Sequence, residues 1–341
     1  MNKLSFLPVA GLWFACSYGA LAQNANTLSL DQEGVGHVAN LNQAGANNIN
    51  ELSAAQVVDS GHNSMTTHQD GVDNENSMSA FQVAGSHRNT LTAHQGGVGN
   101  DNSAYILQAF GGDDNELLIE QIGAGNANTL GTQIEQSGDF NIAHYTQTGT
   151  NNSNSGGGIQ FGNSNKLTFW QGGSDNTNYA GISVDGSDNV ASLIQDGAGN
   201  NSYAQFNQGT GDVTTVHQGG EQTSNRFEAF LFDGAHQISV EQIGERNTNT
   251  AYVEQTGFGD MSLSLHQSGT DTVNDFRLLS GGNGGHTTTV TQTGTNSENT
   301  ANIMQDGANL TAIVTQGGAN TVNSSIISQT GNGNVLTVTQ N

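Results

Sequence analysis

The sequence predicts an all-β fold, a two-sheet β-solenoid of about 13 strand-turn-strand rungs, and three observations predict it. A Gln followed two residues later by Gly recurs along the whole chain. Each such Gln closes a short segment in which apolar and polar residues alternate, the period of a half-buried strand. At many sites an Asn stands five residues after the Gln, so that turn chemistry falls at a fixed offset from those strand ends.

The first element is different in kind. Met1-Asn2-Lys3 supplies a short cationic start, residues 4–19 are largely apolar, and Ala20-Leu21-Ala22 is a small-residue cleavage site. This is the pattern of a secretory signal peptide, residues 1–22, with cleavage expected before Gln23. The apolar run is shorter than the roughly 20 residues a spanning helix needs, and no later segment approaches that length, so no membrane span is expected. Cys16, the one cysteine, lies in the apolar region and leaves with it.

Residues 23–341 form the repeat region. Numbered from Gln32 there are 26 equivalent sites, mostly 11 or 13 residues apart, or 13 units of about 24 to 26 residues. The even sites are Gln43, Gln69, Gln95, Gln121, Gln147, Gln171, Gln195, Gln218, Gln242, Gln267, Gln292, Gln316 and Gln340, with no substitution. The odd sites include Gln56, Gln82, Gln108, Gln136, Gln160, Gln208, Gln255, Gln305 and Gln329, but Val184, Phe232 and Ser280 replace Gln, and the lengthened turns fall on this set. The even sheet is therefore expected to hold the register.

Two residues before each Gln the chain is apolar, as at Leu41, Ile119, Phe169 and Val338, and only Thr67 and Gly158 break the rule. The fourth residue back is apolar and often small, while the third is mostly polar, so one strand face is buried and the other wet. After the Gln, x-Gly-x-x-Asn is complete at eleven sites, among them Gln43/Asn48 and Gln329/Asn334. Gly and Asn tolerate positive φ, which makes each connection a tight turn. Each unit then becomes one rung of a stack about 4.8 Å per rung and on the order of 60 Å long. An unpaired buried amide costs roughly 1–3 kcal/mol, and a stack removes that cost when the Gln of one rung donates to the Gln of the next. The inward Gln thus selects the in-register state.

Without Lys3, five basic residues face 30 acidic ones, and no proline remains after Pro8 is removed. Such a balance excludes nucleic acid as an expected partner. No GxSxG, HExxH, P-loop or dinucleotide fingerprint occurs, and no enzymatic activity, cofactor or metal site is expected. His68, His94, His217 and His266 fall at the outward position before an even-site Gln and are read as solvated side chains. The outward residues Ala55, Phe81, Leu107, Ile159, Leu231, Leu279 and Met304 form a partly apolar stripe beside the odd sites, a candidate lateral contact surface. An ice-binding array needs outward Thr pairs throughout, but only Thr289/Thr291 and Thr337/Thr339 supply them. A polysaccharide-processing site needs carboxylates clustered on one face, whereas the acids lie mainly in turns.

The segment Gln136-Ser-Gly138-Asp-Phe-Asn141-Ile-Ala143-His-Tyr-Thr-Gln147 has the spacing Q-x-G-x-x-N-x-A-x-x-x-Q, which resembles the curlin repeat of curli fibre subunits. Its Q-x-G-x-x-N half recurs over roughly residues 27–341. The resemblance implies a subunit exported through the periplasm and a dedicated outer-membrane pore, which self-associates, with a nucleator subunit, into extracellular amyloid fibres of a biofilm matrix. By the same resemblance Gln136, Asn141 and Gln147 would belong to the ladders that drive assembly. The chain departs from the family in having more rungs, longer units and no Gly-rich segment after the signal peptide, and major, nucleating and accessory roles stay open. A monomeric surface-attached adhesin on the same solenoid is the competing expectation. The final strand, ending at Gln340, favours end-to-end addition.

Overall fold

The computed structural model describes residues 13–14, 25–33, 35–57, 61–83, 87–108, 112–230, 235–254 and 260–341. Apart from Trp13–Phe14, the expected signal peptide lies outside them, as do Phe232, Gln255 and Leu231.

Strand and turn alternate along the chain, and each strand pairs in parallel with the strand one rung away; among the described strands only Gln237–Gln242 and Met261–Gln267, which follow each other in sequence, are also neighbours in the sheet. The even sheet holds fourteen strands, of which the two-residue Trp13–Phe14 is the outermost. The other thirteen run from Val38–Gln43 to Val335–Gln340, and in every pair Gln faces Gln, as in Gln43↔Gln69 and Gln316↔Gln340. The odd sheet comprises a run of nine strands, from Ala25–Gln32 to Ser224–Glu228, and a run of three, from Val273–Gly284 to Val322–Asn332. Thr248 bridges both runs, and backbone bonds such as Ala251 N–H to Arg226 O and Phe276 N–H to Thr250 O carry the stack across the gap. The result is a two-sheet β-solenoid of about twelve turns by its twelve described odd strands, one fewer than the thirteen Gln-ending even strands and the repeat count.

The two sheets differ in regularity as their sequences predict. No register shift occurs in the even sheet. The odd sheet shifts between Leu130 and Ile134, where Ala127–Ser137 is longer than its neighbours, and again between Gly282 and Gly284.

The core is the dry layer between the sheets. Inward side chains such as Leu91, Leu117, Ile119, Phe169, Leu193 and Val240 are buried from the even strands, and Leu52, Met78, Ile106 and Ile303 from the odd ones. Both breaks in the apolar rule lie in this layer. Thr67 is buried with its hydroxyl unpartnered. Gly158 makes room for a neighbour, since a Cβ there would lie 2.2 Å from the hydroxyl of Tyr145. Tyr145 and Phe169 pack at 5.5 Å between centroids over the glycines of strand Ser153–Phe161. Volume is thus exchanged between sheets to keep the layer full.

The turns follow from Gly and Asn. At Gly71 φ is +111°, and a Cβ would stand 2.2 Å from the carbonyl oxygen of Gly97 one rung on. Only glycine permits that approach at that φ. Two residues later the left-handed region is filled by Asn47, Asp73, Asp175 or Asn320, residues that tolerate it.

Candidate functional site

The even Gln side chains form one unbroken ladder. From Gln43 to Gln340 each Nε2 donates to the Oε1 of the next rung, at 2.7 to 2.9 Å, twelve times in one direction. Gln69, Gln95, Gln121, Gln147, Gln171, Gln195, Gln218, Gln242, Gln267, Gln292 and Gln316 are all fully buried. The second hydrogen of the amide is used as well. Gln69 donates to Glu51 O, Gln95 to Ser77 O, Gln195 to Tyr179 O and Gln340 to Ser324 O, so the ladder also ties its sheet to the opposite one.

The odd ladder has the same construction but stops. It runs Gln32, Gln56, Gln82, Gln108, Gln136, Gln160 and then meets Val184, which is fully buried. Beyond the gap, Ser280 is buried with its hydroxyl unpartnered, and a last bond joins Gln305 to Gln329.

Asn141 belongs to a different column, at the turn. Its Oδ1 accepts the backbone N–H of Asn165, and its Nδ2 donates to Ser137 O and Gly162 O. Asn48, Asn74, Asn100 and Asn126 do the same on the other turn. In the Asn141 column Asp212 and His236 continue the pattern. Asp212 Oδ1 accepts both the backbone N–H and the Nδ1–H of His236, the latter at 2.8 Å, with both side chains fully buried.

One set of ladder residues was not singled out from sequence. Inward Asn side chains at the start of each odd strand form a further ladder: Asn178 donates to Asn154, and so on down to Asn50 and Asn26. From Asn225 the direction reverses, with donation to Asn249, Asn274, Asn299 and Asn323 in turn. Ser202 stands at the junction, and Asn178 Oδ1 is left unpaired there. The signal was present as Asn-x-Asn after the even-site turn, in Asn48-Ile49-Asn50 and Asn126-Ala127-Asn128. Two amides two residues apart on a strand share a face.

On the wet face of the even sheet the four outward His are less isolated than expected. His68 and His94 both reach Asp70, at 2.7 and 3.0 Å. Burial pushes the Asp70 carboxyl up, but hydrogen bonds from His94 and His68 outweigh it and hold the group below the ordinary range. His217 hydrogen-bonds Asp196 at 3.0 Å, and that bond raises its pKa against partial burial, helped by Glu241. His266 donates to Glu241 at 2.8 Å. The expected apolar stripe on the odd sheet is only partly exposed: Met304 is open, whereas Phe81, Leu107 and Ile159 are half-buried and Glu135 interrupts the row.

Among the described residues no helix is long and apolar enough to cross a membrane. No family model and no curated protein matches the chain.

Proposed function

We propose that this chain is an exported structural subunit that self-associates into extracellular, curli-like cross-β fibres, contributing to biofilm matrix and surface adhesion. The observation that carries the reading is the even Gln ladder: twelve consecutive amide bonds of one polarity through a sheet with one register. Each rung offers the next the same acceptors and donors, so the contact that holds rung to rung inside the chain is the contact a second copy would make. Strand Val335–Gln340 lies at the edge of that sheet, and Val335 is 71% exposed. A nucleator subunit and an outer-membrane secretion pore are the partners this reading implies. No catalytic role is proposed.

The second reading, a monomeric surface-attached adhesin, draws support from the odd sheet. Val184 and Ser280 break its ladder, which weakens translational equivalence on that side. An outward stack of Tyr179 on Tyr203, 5.5 Å apart and capped by Arg226, offers a flat aromatic platform.

Electron microscopy and fibre diffraction of the purified chain after incubation decide between them. Fibres with a meridional reflection near 4.7–4.8 Å and an equatorial one near 10 Å are expected. A chain that stays monomeric for days with β-rich circular dichroism would establish the adhesin reading instead.

A further inference from the structure

We propose that His68, Asp70 and His94 form a binding site for one late first-row divalent cation, of the Zn²⁺ class, on the wet face of the even sheet. The site follows from register. His68 and His94 occupy the same position in adjacent strands and are directly paired, with ring centroids 5.1 Å apart. Asp70 follows two residues after His68 and leans across to the next rung, so that each of its oxygens meets one imidazole Nε2, at 2.7 and 3.0 Å. The donor atoms of the three side chains all lie within 4.8 Å of one another, the one such group among the described residues.

The lean is permitted by Gly96. A Cβ there would stand 2.3 Å from Asp70 Oδ1 and 3.1 Å from His94 Nε2, so the missing side chain is the space in which the three donors converge. Two neutral imidazoles and one carboxylate suit Zn²⁺, Cu²⁺ or Ni²⁺ over Mg²⁺ or Ca²⁺, which take oxygen sets. With metal–ligand distances of about 2.0–2.2 Å, tetrahedral donors stand roughly 3.3 Å apart, close to the 2.7 and 3.0 Å already present between the carboxylate and each imidazole. Each side chain is about one-third exposed, at 36%, which leaves the remaining coordination positions to water. The bound ion replaces the two hydrogen bonds and joins strand Ser64–Gln69 to strand Thr90–Gln95.

The chain holds an incomplete copy of the same arrangement. Gln69-Asp70-Gly71 followed by His94-Gln95-Gly96-Gly97 recurs as Gln195-Asp196-Gly197 followed by His217-Gln218-Gly219-Gly220. Asp196 again reaches the next rung's His, at 3.0 Å, over a glycine whose Cβ would lie 2.1 Å from Asp196 Oδ1. Ile194 stands where His68 does. The second site therefore lacks one ligand. The proposal concerns the single chain and does not depend on fibre formation.

The test is calorimetric titration of the purified chain with Zn²⁺, with far-ultraviolet circular dichroism on every variant. One Zn²⁺ per chain is expected. His94→Ala and Asp70→Asn should each weaken binding by at least about tenfold, and His266→Ala should leave it unchanged. Ile194→His should raise the stoichiometry from one to two, a gain that loss of folding would not mimic. Affinity unchanged in His94→Ala and Asp70→Asn, or no added equivalent in a folded Ile194→His chain, would overturn the assignment.

Discussion

Gly158 and Tyr145 show how a single position couples the two sheets. The phenol occupies the volume that Gly158 leaves empty, and its hydroxyl is buried without a partner. Burial alone pushes its pKa up. Gly158→Ala should therefore destabilise the chain by about 1–3 kcal/mol through overpacking. Tyr145→Phe should stabilise it by about 1 kcal/mol by removing an unsatisfied hydroxyl, and the double variant should lie above Gly158→Ala alone. Urea midpoints of the four proteins give the answer; a Tyr145→Phe chain that loses stability would mean that the hydroxyl is satisfied. His217 makes a second residue-scale case. Its hydrogen bond from Nε2 to Asp196, with Glu241 nearby, raises its folded-state pKa above that of the unfolded chain. The imidazolium then stabilises the fold below about pH 6.5, and the contribution is lost as pH rises through the raised value. Stability measured from about pH 5.5 to 8.5 should fall more steeply with pH in the wild type than in His217→Asn. Parallel curves would remove the bond from the ledger of stabilising contacts.

At the scale of the element, a ladder strand is held by bonds that a neighbour of the same kind must complete. Gln147→Ala with Gln195→Ala removes four Gln–Gln bonds, on both sides of each site. Gln136→Ala with Gln160→Ala removes two, because they share one bond and the ladder already ends beside Val184. Each orphaned amide costs roughly 1–3 kcal/mol. The even pair should therefore slow fibre formation more than the odd pair. Equal dye-binding lag times would mean that register does not reside in the even sheet.

For the whole molecule, charge opposes stacking. The chain carries a formal net charge of −24. Stacking sets like charges in columns: Glu75 faces Asp101, and Glu221 faces Glu245. At about 4.8 Å such neighbours repel by roughly 1 kcal/mol in water and lie well inside the ~8 Å screening length at physiological ionic strength. Three of the few cations are spent on local acids, as Arg88 on Asp114, Arg226 on Glu228 and Arg246 on Asp271. Assembly should thus be faster near pH 4.5, where carboxylates begin to protonate, or in added salt, than at pH 7.5 in low salt. Lag times identical under all conditions would mean that charge does not gate assembly.

The sequence by itself determined the periodicity, and with it most of the fold. Period-2 alternation closed by Gln, with Gly and Asn at fixed offsets, is local chemistry that permits one answer: a rung whose inward amides need a copy of themselves above and below. The even ladder and the break in the odd ladder at Val184 were legible for that reason, whereas the positive φ expected of the motif Asn falls on its neighbour, Phe140 beside Asn141, and Asn141 holds the turn through its amide instead. What only the tertiary structure decided are the contacts between columns. That Tyr145 fills the space of Gly158, that a Gln amide spends its second hydrogen on the opposite sheet, and that the Asn ladder changes direction at Ser202 all depend on how two sheets face each other. The meeting of His68, Asp70 and His94 likewise needs a register in which residues 24 to 26 apart become neighbours. Strand periodicity names which face a side chain takes, but only stacking brings one rung's side chains against the next.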